Sequence, residues 1–115
     1  MRLRSTVAAA FGALALIVAV PTSAGAATGY FGYTYSGLDG SPQVAYLVDP
    51  PSRECITLPE VGDPNSSSPA RAPRNYTDAT ATVFTGPDCD GDYFTLRPRG
   101  GHASSRLMLR SVVFS

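Results

Sequence analysis

Hydrophobic and polar positions along this chain alternate in short runs separated by turn residues. The runs are rich in Val, Ile, Tyr, Phe and Thr, and Pro and Gly recur between them too often for long helices. This pattern is typical of a small all-β domain. It predicts strands at residues 30–35, 44–48, 54–58, 75–84 (with a bend near Asp78), 93–97 and 109–114.

The first predicted strand shows how the alternation assigns a face. Side chains of a strand point to opposite sides in turn, so Phe31, Tyr33 and Tyr35 share one face. We interpret this face as core, because a domain this small needs its aromatic rings for burial. The alternative is an exposed aromatic stripe that contacts a protein or a glycan.

Two longer features concern the connections between strands. Residues 59–73 are rich in Pro, Ser, Asp and Asn, which predicts an exposed connection that is mobile or functional. Residues 46–58 resemble residues 84–96 at an offset of 38 positions. We interpret the similarity as one hairpin-plus-return unit used twice, giving two half-cores packed face to face. Chance likeness between two hairpins is the alternative.

The N-terminus has the pattern of a secretory signal peptide. Arg2 and Arg4 precede the uncharged apolar run 7–20, and small residues at Ala24 and Ala26 suit a cleavage site. We therefore expect a signal peptide at 1–26, cleavage near Ala26, and a secreted domain at 27–115. A membrane anchor is the alternative, but a span needs about 20 apolar residues. No later run reaches that length, so we expect no stable membrane insertion.

Charge and cysteine content restrict the partners and the compartment. After Ala26 there are nine acidic residues and seven arginines but no lysine, a balance that excludes nucleic acid as the expected partner. Cys55 and Cys89 make an even count, which in an exported protein predicts a disulfide. Two free thiols or two metal ligands are the alternatives, and His102 is the only histidine available to complete a metal site.

A spaced motif in the second half carries a family resemblance. Phe84, Cys89, Gly91 and Ser111 fall where the β/γ-crystallin superfamily has an aromatic residue, a second aromatic residue, a glycine and a serine. The chain also looks like small exported actinobacterial members of that superfamily, which include metalloproteinase-inhibitor-like and killer-toxin-like proteins. The resemblance implies a Greek-key β-sandwich. In it, Gly91 permits a folded-over hairpin at positive φ, Ser111 ties the fold back by hydrogen bonds, and a disulfide at Cys89 replaces the packing of the second ring.

The resemblance also raises the question of metal binding, because many microbial members of the family bind calcium. The corresponding stretch here, 106–111, has no carboxylate and carries Arg106 and Arg110, so we expect those sites to be lost and no cofactor or metal to be held. A separate acidic run contains Asp88, Asp90 and Asp92. It could encircle a cation, but we interpret it as a solvated hairpin tip.

Catalysis is not expected. His102 lies among glycines and serines in a loop, and nothing resembles a nucleophile elbow. We expect a non-enzymatic extracellular binding or protective module whose partner is a protein or a glycan. A peptidase inhibitor that presents Arg97-Pro98-Arg99, or the connection 59–73, is one alternative. A killer-toxin-like antimicrobial protein is another.

Overall fold

The computed structural model describes residues 25–115, so the predicted signal peptide lies outside the described residues except for its last two positions. The regular structure of residues 25–115 consists of short strands and two 3-10 turns, Pro59–Val61 and Pro87–Cys89, which confirms the all-β class. The strands are β1 Gly29–Ser36, β2 Pro42–Val48, β3 Ile56–Thr57, β4 Ala70–Thr77, β5 Ala81–Phe84, β6 Tyr93–Leu96, β7 Gly101–His102, β8 Met108–Leu109 and β9 Ser111–Phe114.

The strands form two antiparallel sheets that exchange elements. The first sheet has the order β2-β1-β4-β7, and β8 also pairs with β4; the second has the order β3-β9-β5-β6. The early strand β3 therefore pairs with β9 at the edge of the second sheet, while the late strands β7 and β8 pair with β4 in the first. Because each half of the chain completes the sheet of the other, the two halves are interlocked.

The core lies between the two sheets and follows from the alternation in the strands. Phe31 and Tyr33 of β1 are buried, as expected, whereas Tyr35 is only partly buried. Phe31 meets Phe114 of β9 edge to face, with 5.4 Å between ring centroids. Because β1 and β9 belong to different sheets, this contact joins the first sheet to the second. Edge-to-face aromatic pairs add to the stabilisation that comes from burial of apolar area.

Several predicted boundaries were wrong. The stretch 75–84 is two strands that separate at the predicted bend near Asp78, but β4 begins at Ala70, inside the stretch predicted as an exposed connection. Ala70 and Pro73 are buried there. The strand β7 was missed, because two residues carry no period. The predicted strand 109–114 is divided between β8 and β9, which belong to different sheets.

The predicted repeat was also wrong in its register. Residues 84–96 run from the last residue of β5 to the end of β6, two paired strands of one sheet. Residues 46–58 instead cross from β2 in the first sheet to β3 in the second. The two stretches are therefore not equivalent, although each half of the chain does contribute one hairpin to its own sheet and at least one strand to the other.

The predicted disulfide between Cys55 and Cys89 is present, with 5.9 Å between the two Cα atoms. Cys55 immediately precedes β3, and Cys89 ends the 3-10 turn in the β5–β6 connection, so both cysteines lie at the same sheet. The bond ties the exchanged strand β3 to the hairpin beside it.

Arg110 holds the long connection between β3 and β4 in place. Its buried guanidinium donates hydrogen bonds to the carbonyl oxygens of Val61 (2.9 Å) and Ser67 (2.8 Å) and to the Ser67 hydroxyl (3.2 Å). A charged donor strengthens such bonds. The connection is thus anchored at two points, and the prediction of a wholly exposed segment does not hold.

Candidate functional site

Three tyrosines form an exposed cluster on the outer face of the first sheet. Tyr30 of β1, Tyr46 of β2 and Tyr76 of β4 are 43%, 58% and 45% exposed. The centroid of Tyr30 lies 5.5 Å from that of Tyr46 and 5.1 Å from that of Tyr76. We call Tyr30, Tyr46 and Tyr76 the tyrosine cluster. Exposed aromatic side chains held side by side present apolar rings and polar hydroxyls to one ligand.

The strand order creates this cluster. Tyr30 lies directly opposite Tyr76 in the β1–β4 ladder, and the next outward position of β1 is Gly32. Gly32 lies opposite Tyr46 on one side and Arg74 on the other. A Cβ atom at Gly32 would lie 3.0 Å from Cε1 of Tyr46, closer than normal contact. Glycine here therefore lets the Tyr46 ring lie over β1.

The missing side chain at Gly32 leaves a depression of about 150 Å³. We call it the polar depression, because Arg74 and Thr34 line it together with the tyrosine cluster. A volume of about 150 Å³ accommodates one six-membered ring, as an engineered protein cavity of that size accommodates benzene. The polar depression therefore has room for one six-membered ring.

A second depression lies on the other side of Tyr30 and Tyr46. It measures about 390 Å³, and its remaining lining is Gly29, Val48 and Asp49; we call it the apolar depression. The Asp49 carboxylate accepts a hydrogen bond from the Gly29 N–H at 2.9 Å, which fixes the acid at the rim. The two depressions share Tyr30 and Tyr46 as a common wall, so one extended ligand can occupy both.

The charged groups of this face lie toward β4 and β7. Arg74 is exposed and is directly opposite His102 of β7 in the ladder. Arg71, at the irregular end of the β1–β4 ladder, donates to the Ser36 hydroxyl at 3.3 Å. Ala72, between the two arginines, has a positive φ of 53°. This break in the strand leaves Ala72 and Arg74 both lining the polar depression.

The predicted inhibitory loop, Arg97-Pro98-Arg99, is a closed turn at the opposite end of β4 from Ala70. Arg97 and Arg99 are exposed, and Arg99 has a positive φ of 58°. The buried Asn75 amide donates to the Arg97 carbonyl at 3.0 Å, and the Arg99 N–H donates to the Thr77 carbonyl at 2.9 Å. The turn is thus rigid but not extended.

The residues of the predicted fold motif meet at the β5–β6 connection. Gly91 has a φ of 88°, and a Cβ atom there would collide with the Thr85 hydroxyl oxygen. The buried Ser111 hydroxyl accepts from the Cys89 N–H at 2.8 Å and donates to the Gly86 carbonyl at 2.6 Å. Phe84 packs on Tyr93 with 6.2 Å between centroids. These contacts fold the hairpin tip back onto β9.

The acidic residues of that tip do not converge. Asp88 accepts from the Thr57 hydroxyl at 3.4 Å, whereas Asp90 accepts from the Gly91 N–H at 2.8 Å. In residues 25–115 no group of three or more His, Cys, Asp or Glu side chains is placed to hold a metal ion. His102, the residue weighed for acid–base chemistry, is exposed, and its Nδ1 lies 3.1 Å from the Gly100 carbonyl oxygen.

The tyrosine cluster was missed by the sequence analysis, which considered Phe31, Tyr33 and Tyr35 instead. The same alternation places Tyr30 on the outer face, so one member was accessible to that reasoning. Tyr46 fell in a predicted strand, and Tyr76 fell in the divided one. What the sequence could not supply was the order β2-β1-β4, which brings the three rings together.

Comparisons with known proteins give no further guide to this site. No family model, no curated protein and no solved structure matches the chain. Among residues 25–115 no helix has the length and apolar character needed to cross a membrane.

Proposed function

We propose that the protein is a secreted, non-enzymatic binding module that holds a polysaccharide against the outer face of its first sheet. The tyrosine cluster carries the proposal: the partly exposed ring of Tyr30 has the rings of Tyr46 and Tyr76 at 5.5 and 5.1 Å. A sugar ring offers C–H groups on its faces and hydroxyls around its rim. The tyrosine rings can pack on the C–H faces, and the tyrosine hydroxyls can form hydrogen bonds with the sugar hydroxyls.

The arrangement of the depressions supports a chain of rings as the ligand. The polar depression has the volume of one ring, and the apolar depression is larger and adjoins it across Tyr30 and Tyr46. Ligand sites are mostly apolar with a few placed polar groups, and here Arg74 and Asp49 supply these at separate ends. The disulfide supports the extracellular setting, because such bonds persist where the environment is oxidising.

The experiment is an affinity measurement of the oxidised domain 27–115 against cellulose, chitin, xylan, β-glucan and polygalacturonate. We expect binding to at least one of them. Substituting Tyr30→Ala or Tyr46→Ala should weaken it about tenfold, since aromatic contacts contribute up to about 1.5 kcal/mol each. Gly32→Val should also weaken it, because the new side chain fills the polar depression and displaces the Tyr46 ring.

Tyr93→Ala is the matched control. Tyr93 is 71% exposed but belongs to β6 of the second sheet, so the same chemical change should leave binding unaltered. The proposal is wrong if the domain binds none of these polysaccharides. It is also wrong if Tyr93→Ala weakens binding as much as the substitutions in the tyrosine cluster.

A peptidase inhibitor is the second candidate, and the rigid Arg97-Pro98-Arg99 turn favours it. The side-chain amide of Asn75 and the backbone carbonyl of Thr77 hold that turn by hydrogen bonds, and a preformed loop lowers the entropic cost of binding. Titration of trypsin-like and metal-dependent peptidases tests it. Stoichiometric inhibition that Arg99→Ala abolishes would support this function, and cleavage after Arg99 without inhibition would refute it.

We also propose that the fold is a Greek-key sandwich of the β/γ-crystallin type. The exchange of β3 and β7–β8 between the two sheets supports this, as does the tie between Ser111 and the folded-over tip at Gly91. Cross-strand proton–proton contacts measured by NMR on the domain test the assignment through the strand order. Pairing of β3 within the first sheet would refute it.

A further inference from the structure

We infer that the polar depression takes a sugar ring that carries a carboxylate, so that the ligand is a polysaccharide containing uronic acid. This inference rests on the function proposed above and names the chemistry of one end of the site. It starts from the position of Arg74, which lines the polar depression between Gly32 on β1 and His102 on β7.

The charge around Arg74 is not balanced by the other groups of the depression. Among the described residues that line the polar depression, none is Asp or Glu. The hydrogen bonds found in residues 25–115 occupy the guanidinium of Arg110 and engage that of Arg71, but they include none to Arg74. An exposed guanidinium with free N–H groups therefore faces a depression of otherwise neutral side chains.

A guanidinium offers paired N–H groups in one plane, which match the two oxygens of a carboxylate. The depression holds about 150 Å³, enough for a single ring. A ring with a directly attached carboxylate is a uronic acid, and Arg74 would then bind the acid while Tyr46 and Tyr76 contact the ring. The Asp49 carboxylate at the rim of the apolar depression would repel a second acidic ring. That depression therefore suits a neutral ring of the same polysaccharide.

This recognition is compatible with the negative net charge of the domain after Ala26. It needs one ion pair at one ring, not the clustered positive charge that nucleic acid requires. The salt dependence should accordingly be shallow, and the logarithm of the affinity should fall with the logarithm of the salt concentration with a slope no steeper than about one.

The experiment compares a polysaccharide in which a uronic acid alternates with a neutral sugar with its fully methyl-esterified form, which has the same rings but no charge. Titration calorimetry with soluble oligomers of both should show the acid binding at least about tenfold more tightly. Arg74→Gln should reduce the affinity for the acid to that for the ester and leave the ester unchanged. Arg106→Gln is the matched control, because Arg106 is exposed in the β7–β8 connection and lines neither depression.

The outcomes separate this inference from the proposed function. Equal binding of acid and ester through the tyrosine cluster overturns the inference and leaves the polysaccharide-binding function standing. Binding of neither form, together with no binding to the neutral polysaccharides, overturns both. Tighter Arg74-dependent binding of a sulfated polymer than of the carboxylated one also overturns the inference, because it assigns the guanidinium to a different anion.

Discussion

Ser111→Ala tests whether one buried hydroxyl holds the hairpin tip onto the second sheet. The Ser111 side chain is wholly buried, and its hydroxyl makes two hydrogen bonds, one from the Cys89 N–H and one to the Gly86 carbonyl. Alanine keeps the β-carbon and removes only the oxygen. Both backbone groups then lose their partner in a partly buried position.

The expected loss follows from these two bonds. A typical intramolecular hydrogen bond contributes about 1 kcal/mol net, and a buried group left without a partner costs about 1–3 kcal/mol. Gly86 and Cys89 are only partly buried, so water can replace some of what is lost. We therefore expect the free energy of unfolding to fall by about 2 kcal/mol, a large share of the roughly 5–10 kcal/mol typical of a small domain.

Urea unfolding of the oxidised domain at neutral pH measures this change. With a urea dependence of about 1 kcal/mol per molar for a small protein, the midpoint should fall by about 2 M at unchanged slope. Ser105→Ala is the control, because Ser105 is exposed in the β7–β8 connection, and its effect should stay within about 0.5 kcal/mol. A Ser111→Ala variant as stable as this control would refute the role assigned to the hydroxyl.

Three further predictions concern stability. Replacing Cys55 and Cys89 with serine should lower the free energy of unfolding by about 3–4 kcal/mol, because the bond closes a loop of 34 residues; the same urea titration measures it. Arg110→Met should lower the free energy of unfolding by about 2–4 kcal/mol and release the long connection. Limited proteolysis should then cut between β3 and β4 faster than in the wild type, and an unchanged rate would contradict the anchoring. Burial, followed by the hydrogen bond to Glu60, raises the pKa of Tyr33. The folded state therefore keeps a proton that the unfolded chain releases near pH 10. Protonated Tyr33 contributes its full stabilisation below that pH, and the free energy of unfolding falls by about 1.4 kcal/mol per pH unit above it. Tyr33→Phe should remove this slope in unfolding curves measured from about pH 8 to 12.

The features that the sequence did predict are those encoded locally. Alternation over the eight residues of β1 gave its inward face, since Phe31 and Tyr33 fill the core. An even number of cysteines in an exported chain predicted the disulfide. The family resemblance implied a positive φ at Gly91 and hydrogen bonds from Ser111 to the folded hairpin; Gly91 has a φ of 88°, and Ser111 bonds to Cys89 and Gly86. Each of these inferences needs only a short stretch of chain or two marked positions.

The features that were missed depend on pairing between distant segments. The strands β3 and β7 have two residues each, too few for any period, yet they exchange between the sheets. Ala70 and Pro73 lie in a stretch whose composition is polar, but pairing of β4 with β1 and β8 buries them. Composition describes a segment by itself, whereas burial is decided by what packs on it.

The candidate site belongs to this second class. Gly32 looks like a weak point in a strand until the ladder shows that Tyr46 and Arg74 flank it. Only then does the absent side chain become a depression. A glycine in a strand interior often marks such a close approach, but the partner that approaches cannot be read from the strand alone.

The separation between face and core makes the binding proposal testable without loss of the fold. The rings of the tyrosine cluster point away from the Phe31–Phe114 contact, and each remains close to half exposed. Removing one ring forfeits cross-strand contacts worth about 0.2–1 kcal/mol, well below the stability of a typical domain. Tyr30→Ala and Tyr46→Ala should therefore fold, and a loss of binding in them would report on the face itself. None of the three tyrosines belongs to the buried core cluster, so their replacement tests the exposed face separately from the packing between the sheets.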